Sequence, residues 1–454
     1  MKTIRNILFI FCLLISISVE AQTLLAEPDI YKLKNGMEII FIPTGTLPVT
    51  SVHIFINTGK KNEIPGQQGL ADLTLTALLY GSEKYSSIQK EQVLYEMGNG
   101  FSSACNDNYT QLELLFPNTS ADTAMDLMSS LLLKPLFSKD EIGMYINQLI
   151  TYNKPKKMDI SNLTSIYGDL YVYGASHPLG RHFYEDQLKK LSVDKIKEFY
   201  QFNYTPANTK LVISGNPDKE KMKLLIQKHF SSWVAEYGEV NGSSYDIPAI
   251  KQKEIFFISK ADATQASLHW YKKAPKAGSK EVLPFVIANG IFNTILFDQI
   301  RGKEGKTYGI YSVYNEAENR EIFEVSTQVR IEVMAETCLS FDKILQAFYL
   351  HGISAEQLEK QKIAIENEIR GMQSPNELSA FINPWLYKDF SKRKSYLSEL
   401  AALDINTIQK IIKKYFVPDA YKLFIAGDQN GLNTQLQNLK DVQYIDLKSI
   451  EVDQ

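Results

Sequence analysis

The chain has 454 residues, 44% of them hydrophobic and 22% charged, with a formal net charge of −3, a globular composition long enough for two cores or more. Near-balanced charge argues against nucleic acid as a partner, which calls for a basic surface. Three cysteines make no disulfide framework and no CxxC metal site, so stability has to come from packing.

Lys2 and Arg5 precede the apolar run Ile7–Ile17, and Val19-Glu20-Ala21 offers a small residue before Gln22, the pattern of a secretory signal peptide. A run of about a dozen residues is short of the roughly 20 that a membrane anchor needs. Cys12 lacks the small preceding residues of a lipoprotein cleavage site. The expectation is an exported, periplasmic chain that loses residues 1–21 after Ala21, becomes one charge more negative, and has no further membrane segment. Cys105 and Cys338 then remain, read as two small buried side chains rather than a bridge.

In chain order, Met37–Ile42 and Val52–Thr58 read as strands, Gly69–Tyr80 as a helix, Gln111–Phe116 as a strand and Ala121–Lys134 as a helix capped by Ser120. Farther on, Glu254–Ser259 and Gln265–Tyr271 read as strands, Leu283–Arg301 as a helix, and Thr307–Tyr314 and Ile322–Val329 as strands. Helices follow near Glu336–Leu350 and over Ala355–Met372. Strands and helices interleave in the same way in both halves, which predicts an α+β fold with a mostly antiparallel, helix-covered sheet in each.

The two halves also match residue by residue. Leu191–Asn216 aligns without gaps on Leu403–Asp428 at a constant offset of 212 residues, with identities at Leu191/Leu403, Ile196/Ile408, Pro206/Pro418, Lys210/Lys422, Leu211/Leu423, Ile213/Ile425 and Gly215/Gly427. Each copy reads as a polar cap (Ser192 or Asp404), an amphipathic helix ended by Pro, then a strand closed by Gly. Ser138–Glu141 and Ser354–Gln357 both read as capping boxes, 216 residues apart. A period this long is a tandem domain duplication and not a solenoid. Gly, Asn, Ser and Pro crowd together over Gly238–Lys251, so the domains are expected over 22–246 and 247–454, divided at about Ile247.

From Lys32 to Gln429 the chain resembles the pitrilysin/insulinase zinc peptidases. The likeness is carried by LKNGMEIIFIP at Leu33–Pro43, GLADLTLTALLYGSEKYS at Gly69–Ser86, HPLGR at His177–Arg181 and FNTILFDQIRGKEGKTYGIYS at Phe292–Ser312. The resemblance implies a duplicated α+β architecture like that of the mitochondrial processing peptidases. It also implies a helix bearing His-x-x-Glu-His, whose histidines bind zinc and whose glutamate is the base. Here Asp72 stands at the first histidine, Leu75 at the glutamate and Thr76 at the second histidine, so the imidazoles and the proton acceptor are gone. The third ligand implied by the family is a glutamate on the helix entered at Ser138, yet Tyr145–Thr151 holds no carboxylate. No cofactor is therefore expected in this chain.

Other histidines do not rescue a metal site. His177 and His182 are separated by Pro178 and Gly180, which break any helical face. His53 and His269 lie in strand patterns and His229 on a helix, where a structural role is commoner than a catalytic one.

One functional feature implied by the family survives. The resemblance implies that an arginine and a tyrosine from the other half, or from a partner chain, grip the substrate in active complexes, and here those positions are Arg301 and Tyr308. The arginine precedes Gly302 and Gly305 and the tyrosine opens a strand, so both can project from one loop junction into a cavity. A guanidinium and a phenol suit a carbonyl becoming an oxyanion. The plainer reading is a helix-terminal arginine on backbone carbonyls and a packed tyrosine, and Tyr311 and Tyr314 compete for the tyrosine's place. The resemblance thus implies a non-metal-binding subunit of a heterodimeric zinc peptidase, inactive alone, whose homologous partner carries His-x-x-Glu-His and zinc and whose substrate is a peptide. The alternative is a non-catalytic structural or peptide-binding relative. No serine, cysteine or paired-carboxylate arrangement in the sequence supports a third kind of peptidase.

Overall fold

The computed structural model describes residues 27–445 apart from 153, 155–157, 183–184, 236–246, 317–319, 373 and 387–388. The expected signal peptide lies outside these residues, as does most of the expected linker.

Among the described residues twelve strands form two six-stranded sheets. The first runs β1-β2-β6-β3-β5-β4, built from Asp29–Lys32 (β1), Glu38–Pro43 (β2), Val49–Ile56 (β3), Gly100–Cys105 (β4), Thr110–Pro117 (β5) and Thr209–Gly215 (β6). The second runs β12-β7-β11-β8-β10-β9, from Glu254–Ser259 (β7), Gln265–Lys273 (β8), Thr307–Val313 (β9), Ile322–Arg330 (β10), Lys422–Gly427 (β11) and Val442–Ile445 (β12). Pairing is antiparallel except β2–β6, β7–β11 and β7–β12. The duplicated unit occupies equivalent places. Ser192 and Asp404 cap their helices by accepting the N–H groups of Lys195 and Thr407, and the strands that follow become β6 and β11 in mid-sheet.

Period-2 alternation decides which side chains point where. In the first sheet Ile39, Val52, Ile54, Leu112, Leu114 and Leu211 face a core covered by helices including α1 (Leu70–Tyr80) and α2 (Lys139–Tyr152). In the second, Leu268, Trp270, Phe323, Val325, Leu423 and Ile425 face a core that includes α4 (Val282–Leu296). Val282–Lys303 is long and apolar enough to cross a membrane. Its Phe285, Ile287, Ile291, Phe292 and Leu296 are nevertheless buried in that core, which accounts for the composition.

The opposite faces of the sheets are covered by exchange. Helix α3 (Ile160–Tyr173), from the first half of the sequence, lays Leu163, Tyr167, Val172 and Tyr173 on Phe256, Ile258, Tyr271 and Phe424 of the second sheet. Thr164 and Ser267 hydroxyls meet at 2.9 Å beneath it. Helix α5 (Pro375–Ile382), from the second half, returns the arrangement by placing Leu378 and Ile382 on Ile40, Ile42, Phe55 and Val212 of the first sheet. The Ser214 hydroxyl donates to the Pro375 carbonyl at 2.8 Å. Arg320 adds a polar tie, 2.8 Å from Asp107 and 3.1 Å from Asp169.

Several local expectations differ. Ser120 makes no side-chain cap, because it ends a 3-10 turn over Asn118–Ser120 and its φ/ψ of −95°/9° lies outside the extended region that a capping residue adopts. Only one arm of the first capping box forms, Glu141 N–H to Ser138 Oγ at 3.5 Å, whereas the Ser354/Gln357 box is complete. The long helix expected over Leu283–Arg301 widens into a π-helical turn at Phe297–Lys303.

Candidate functional site

Helix α1 starts where Gly69 adopts φ +91°, a conformation that suits glycine. The Glu63 carboxylate accepts the Gly69 and Ala71 N–H groups at 3.0 and 2.8 Å, satisfying two of the orphan donors at the helix start. Burial raises Glu63 to about 8 against the pull of those donors. Asp72 follows in the first turn, half-buried, 3.9 Å from the Lys60 ammonium. Burial raises its carboxyl above the ordinary range, and Lys60 opposes that shift. Burial works to lower Lys60, but Asp72, Asp107, Cys105 and Glu63 together hold it above its ordinary value.

This donor set does not fit zinc. Leu75 is 6% exposed and belongs to the first core, while Thr76 is half-buried and offers only a hydroxyl. Facing α1, helix α2 contributes Ile142, Tyr145, Ile146 and Leu149 to the same core, and none of these is an anionic ligand. Among the described residues no group of three or more His, Cys, Asp or Glu side chains could hold a metal ion. A tethered ammonium beside the one remaining carboxylate would repel a divalent ion. Nothing in the spacing of Lys60 and Asp72 along the chain announced that pairing.

The other histidines are held structurally. His177 Nδ1 accepts the Leu179 N–H at 3.1 Å and its ring stacks on Tyr173. His229 lies 2.7 Å from Asp122. Burial lowers His53 and His182 each to about 4. Both Cys105 and Cys338 are free thiols, Cys338 buried and Cys105 half-buried, and burial pushes both upward.

Arg301 sits in the π-helical turn and Tyr308 near the start of edge strand β9. The turn between them is closed by the Lys306 N–H donating to the Ile300 carbonyl at 3.1 Å. Arg301 is exposed and Tyr308 is 89% exposed. The register explains Tyr308: Ile310 pairs with Thr327 and Thr307 with Val329, so Tyr308 and Gly309 together oppose Gln328 alone. This is a β-bulge, which re-aims side chains and ends regular pairing. Two threonines pin it. Their hydroxyls are 2.9 Å apart, Thr307 Oγ1 accepts the Gly309 N–H at 3.1 Å, and the Gly309 and Gln328 carbonyls lie 2.9 and 2.7 Å from Thr307 Oγ1.

Tyr308 lines a cleft of about 340 Å³ with Tyr311, Gln265, Gln328, Ser161 and His269, and Arg301 is not among its walls. This cleft thus takes in the tyrosine without the arginine. Ser161 belongs to the exchanged helix α3, its hydroxyl 3.4 Å from His269 Nε2, and the other ring nitrogen of His269 touches the Glu324 carboxylate. No sequence signal marks the meeting of Ser161 and His269, because the partners are 108 positions apart on different elements.

Comparison with known proteins agrees with this architecture. Residues 40–161 match the profile of the insulinase family (peptidase family M16) and residues 190–365 that of the peptidase M16 inactive domain. The chain is 20% identical over 412 residues to the uncharacterized zinc protease YmxG of Bacillus subtilis, covering 88% of this chain and 98% of that one. A solved peptidase M16 inactive domain from Pseudomonas fluorescens superimposes with a TM-score of 0.80 at 18% identity, covering 89% and 98% of the two chains. The first half of the periplasmic protease PqqL from Escherichia coli gives 0.70 at 14% identity over 90% and 93%. Two profiles of one family fit successive stretches of a duplicated fold that solved members share, and the chain belongs to the M16 (insulinase) peptidase family.

Proposed function

We propose that this chain is the subunit of an exported, periplasmic heterodimeric M16 peptidase that binds no metal and supplies substrate-gripping groups to a homologous partner carrying His-x-x-Glu-His and zinc. The observation that carries the reading is a contrast between the halves. Where the base would stand, Leu75 is sealed in a core; where the substrate would be held, Tyr308 stands exposed on a pinned bulge with Arg301 exposed across the turn. Keeping an exposed, pre-positioned donor is costly to a fold with no use for it, since bulges give up ladder pairing.

In the proposed complex Arg301 and Tyr308 donate to the scissile carbonyl as it becomes an oxyanion. Both side chains are donors in their ordinary states, the guanidinium permanently charged. A donor fixed in a water-excluded site lowers the barrier by about 3–4 kcal/mol, or roughly 10²–10³ in rate. The partner supplies the metal-activated water; this chain orients the peptide.

The test is reconstitution with a homologue that has an intact motif. Arg301→Ala and Tyr308→Phe should each lower peptide hydrolysis by about 10²-fold while the zinc content of the complex stays the same. Full activity in both variants, or stoichiometric zinc with hydrolysis by this chain alone, would refute the proposal.

A further inference from the structure

A second cavity, about 990 Å³, lies between the halves and shares no wall with the Tyr308 cleft. Asn57, Lys61 and Tyr109 come from the first half, and residues within 276–284 and 383–403 from the second. Its volume is that of a ligand site, and sites favour such junctions between domains.

The charges on its walls are unevenly satisfied. Lys61, Lys276, Lys280 and Lys392 line it, and among the described residues none of the four forms an ion pair with a carboxylate. The Lys61 ammonium donates to Asn57 Oδ1 at 2.8 Å and the Lys392 ammonium to the Gly278 carbonyl at 3.0 Å. Each acid on the same walls accepts from a backbone N–H or a hydroxyl, and the Lys392 charge also acts on Asp389. Glu316 accepts the Gly278 N–H at 2.9 Å, Asp389 the Ser391 N–H at 3.2 Å, and Glu399 the Ser395 hydroxyl. Burial lowers Lys61 to about 8, the response of an ammonium removed from water with no counter-ion. Lys61 is half-buried, and a partly desolvated ammonium without a carboxylate partner favours an anion beside it.

Beside these lysines the wall is aromatic and amide-rich. Trp385 and Tyr396 meet edge to face with centroids 5.8 Å apart, and Asn57, Asn108 and Asn383 carry side chains that can pair with peptide groups. Inorganic anions would use the lysines and leave the rings idle.

We propose that this cavity binds the C-terminal carboxylate of a peptide whose last side chain is large and apolar, with Lys61 meeting the carboxylate and Trp385 and Tyr396 covering the side chain. The inference rests on the reading that the chain handles peptides, and it requires neither zinc nor a partner subunit.

Calorimetric titration of the isolated full-length mature chain tests it, with N-acetyl-Gly-Gly-Phe as the free acid, the same peptide as its C-terminal amide, and inorganic phosphate. The acid should bind at least about ten-fold more tightly than the amide, the difference expected of one charge-assisted contact. Lys61→Met should erase that preference and Trp385→Ala should weaken acid and amide together. Equal binding of acid and amide by the wild-type chain overturns the inference without any variant. So does an unchanged preference in a folded Lys61→Met chain, or phosphate binding as tightly as the acid with no effect of Trp385→Ala. Since hydrolysis is not measured, loss of the Arg301 and Tyr308 reading would leave this result standing, and the reverse holds as well.

Discussion

Gly168 lies on the face of α3 that presses on the second sheet. A Cβ added there would come within 2.4 Å of the Tyr271 hydroxyl oxygen and 2.5 Å of two ring carbons. Tyr271 is 1% exposed and packs edge-on against Phe424 at 5.6 Å, so the ring has no open side to move toward. Forcing a methyl into such a place costs about 1–3 kcal/mol, while replacing a helical glycine by alanine returns roughly 1 kcal/mol of helix propensity. With three Tyr271 atoms inside about 2.5 Å the upper part of that range applies, about 2–3 kcal/mol, so Gly168→Ala should destabilise the chain by about 1–2 kcal/mol net, against the stabilisation that propensity alone would give. Urea unfolding followed by tryptophan fluorescence measures it, because Trp233 is buried in the first core and Trp270 in the second. In a Tyr271→Leu background the cost should shrink, leaving a coupling on the order of 1 kcal/mol in the double-mutant cycle. A neutral or stabilising Gly168→Ala would mean that α3 does not rest on Tyr271, and the exchanged-helix packing would be wrong at that contact.

Two further outcomes follow from the geometry. His53 is 3% exposed and burial lowers it to about 4, so the unfolded chain binds a proton between about pH 6.5 and 4 that the folded chain refuses. Its contribution is present above the unfolded value and is lost as pH falls, by up to about 3 kcal/mol at 1.36 kcal/mol per unit; His53→Gln should flatten the acid limb of a melting-temperature profile, and an unchanged limb counts against neutral burial. Thr307→Val removes the hydroxyl that holds the bulge and leaves buried backbone groups unpaired, which should cost about 1–3 kcal/mol in urea unfolding. If the bulge aims Tyr308, the same variant also slows a reconstituted complex, whereas undiminished hydrolysis would separate the bulge from the site.

The duplication was legible because Pro206/Pro418 and Gly215/Gly427 punctuate the same helix–strand unit in both copies, and local punctuation is what sequence reports best. The departure at Asp72, Leu75 and Thr76 was legible only through the likeness of Gly69–Ser86 to the family's His-x-x-Glu-His helix, since helix register alone marks no missing ligand. The destination of Ile160–Tyr173 was not legible. Its periodic apolar face requires burial but does not specify against which sheet. The bulge at Tyr308 depends on the pairing of β9 with β10, a relation between two segments that neither contains alone. Lys60 reaching Asp72, and His269 reaching Ser161, likewise come from the closing of the tertiary structure. Strands β1 and β4, DIYK and GFSSAC, carry no sustained apolar alternation, so nothing in the sequence marks them as strands.

The traded helices bear on how such a chain could have arisen. A solitary copy of the ancestral unit would have displayed a bare apolar sheet face and, at the same time, a greasy helix with nowhere to go. Two copies cure both defects by lending each other the missing cover, so a reciprocal homodimer is the natural forerunner, and joining its genes end to end needs only a linker. By the same reasoning residues 27–235 expressed alone would re-create the unpaired ancestor, lacking Leu378 and Ile382 over their own sheet and presenting Leu163, Tyr167 and Val172 to whatever chain they meet first.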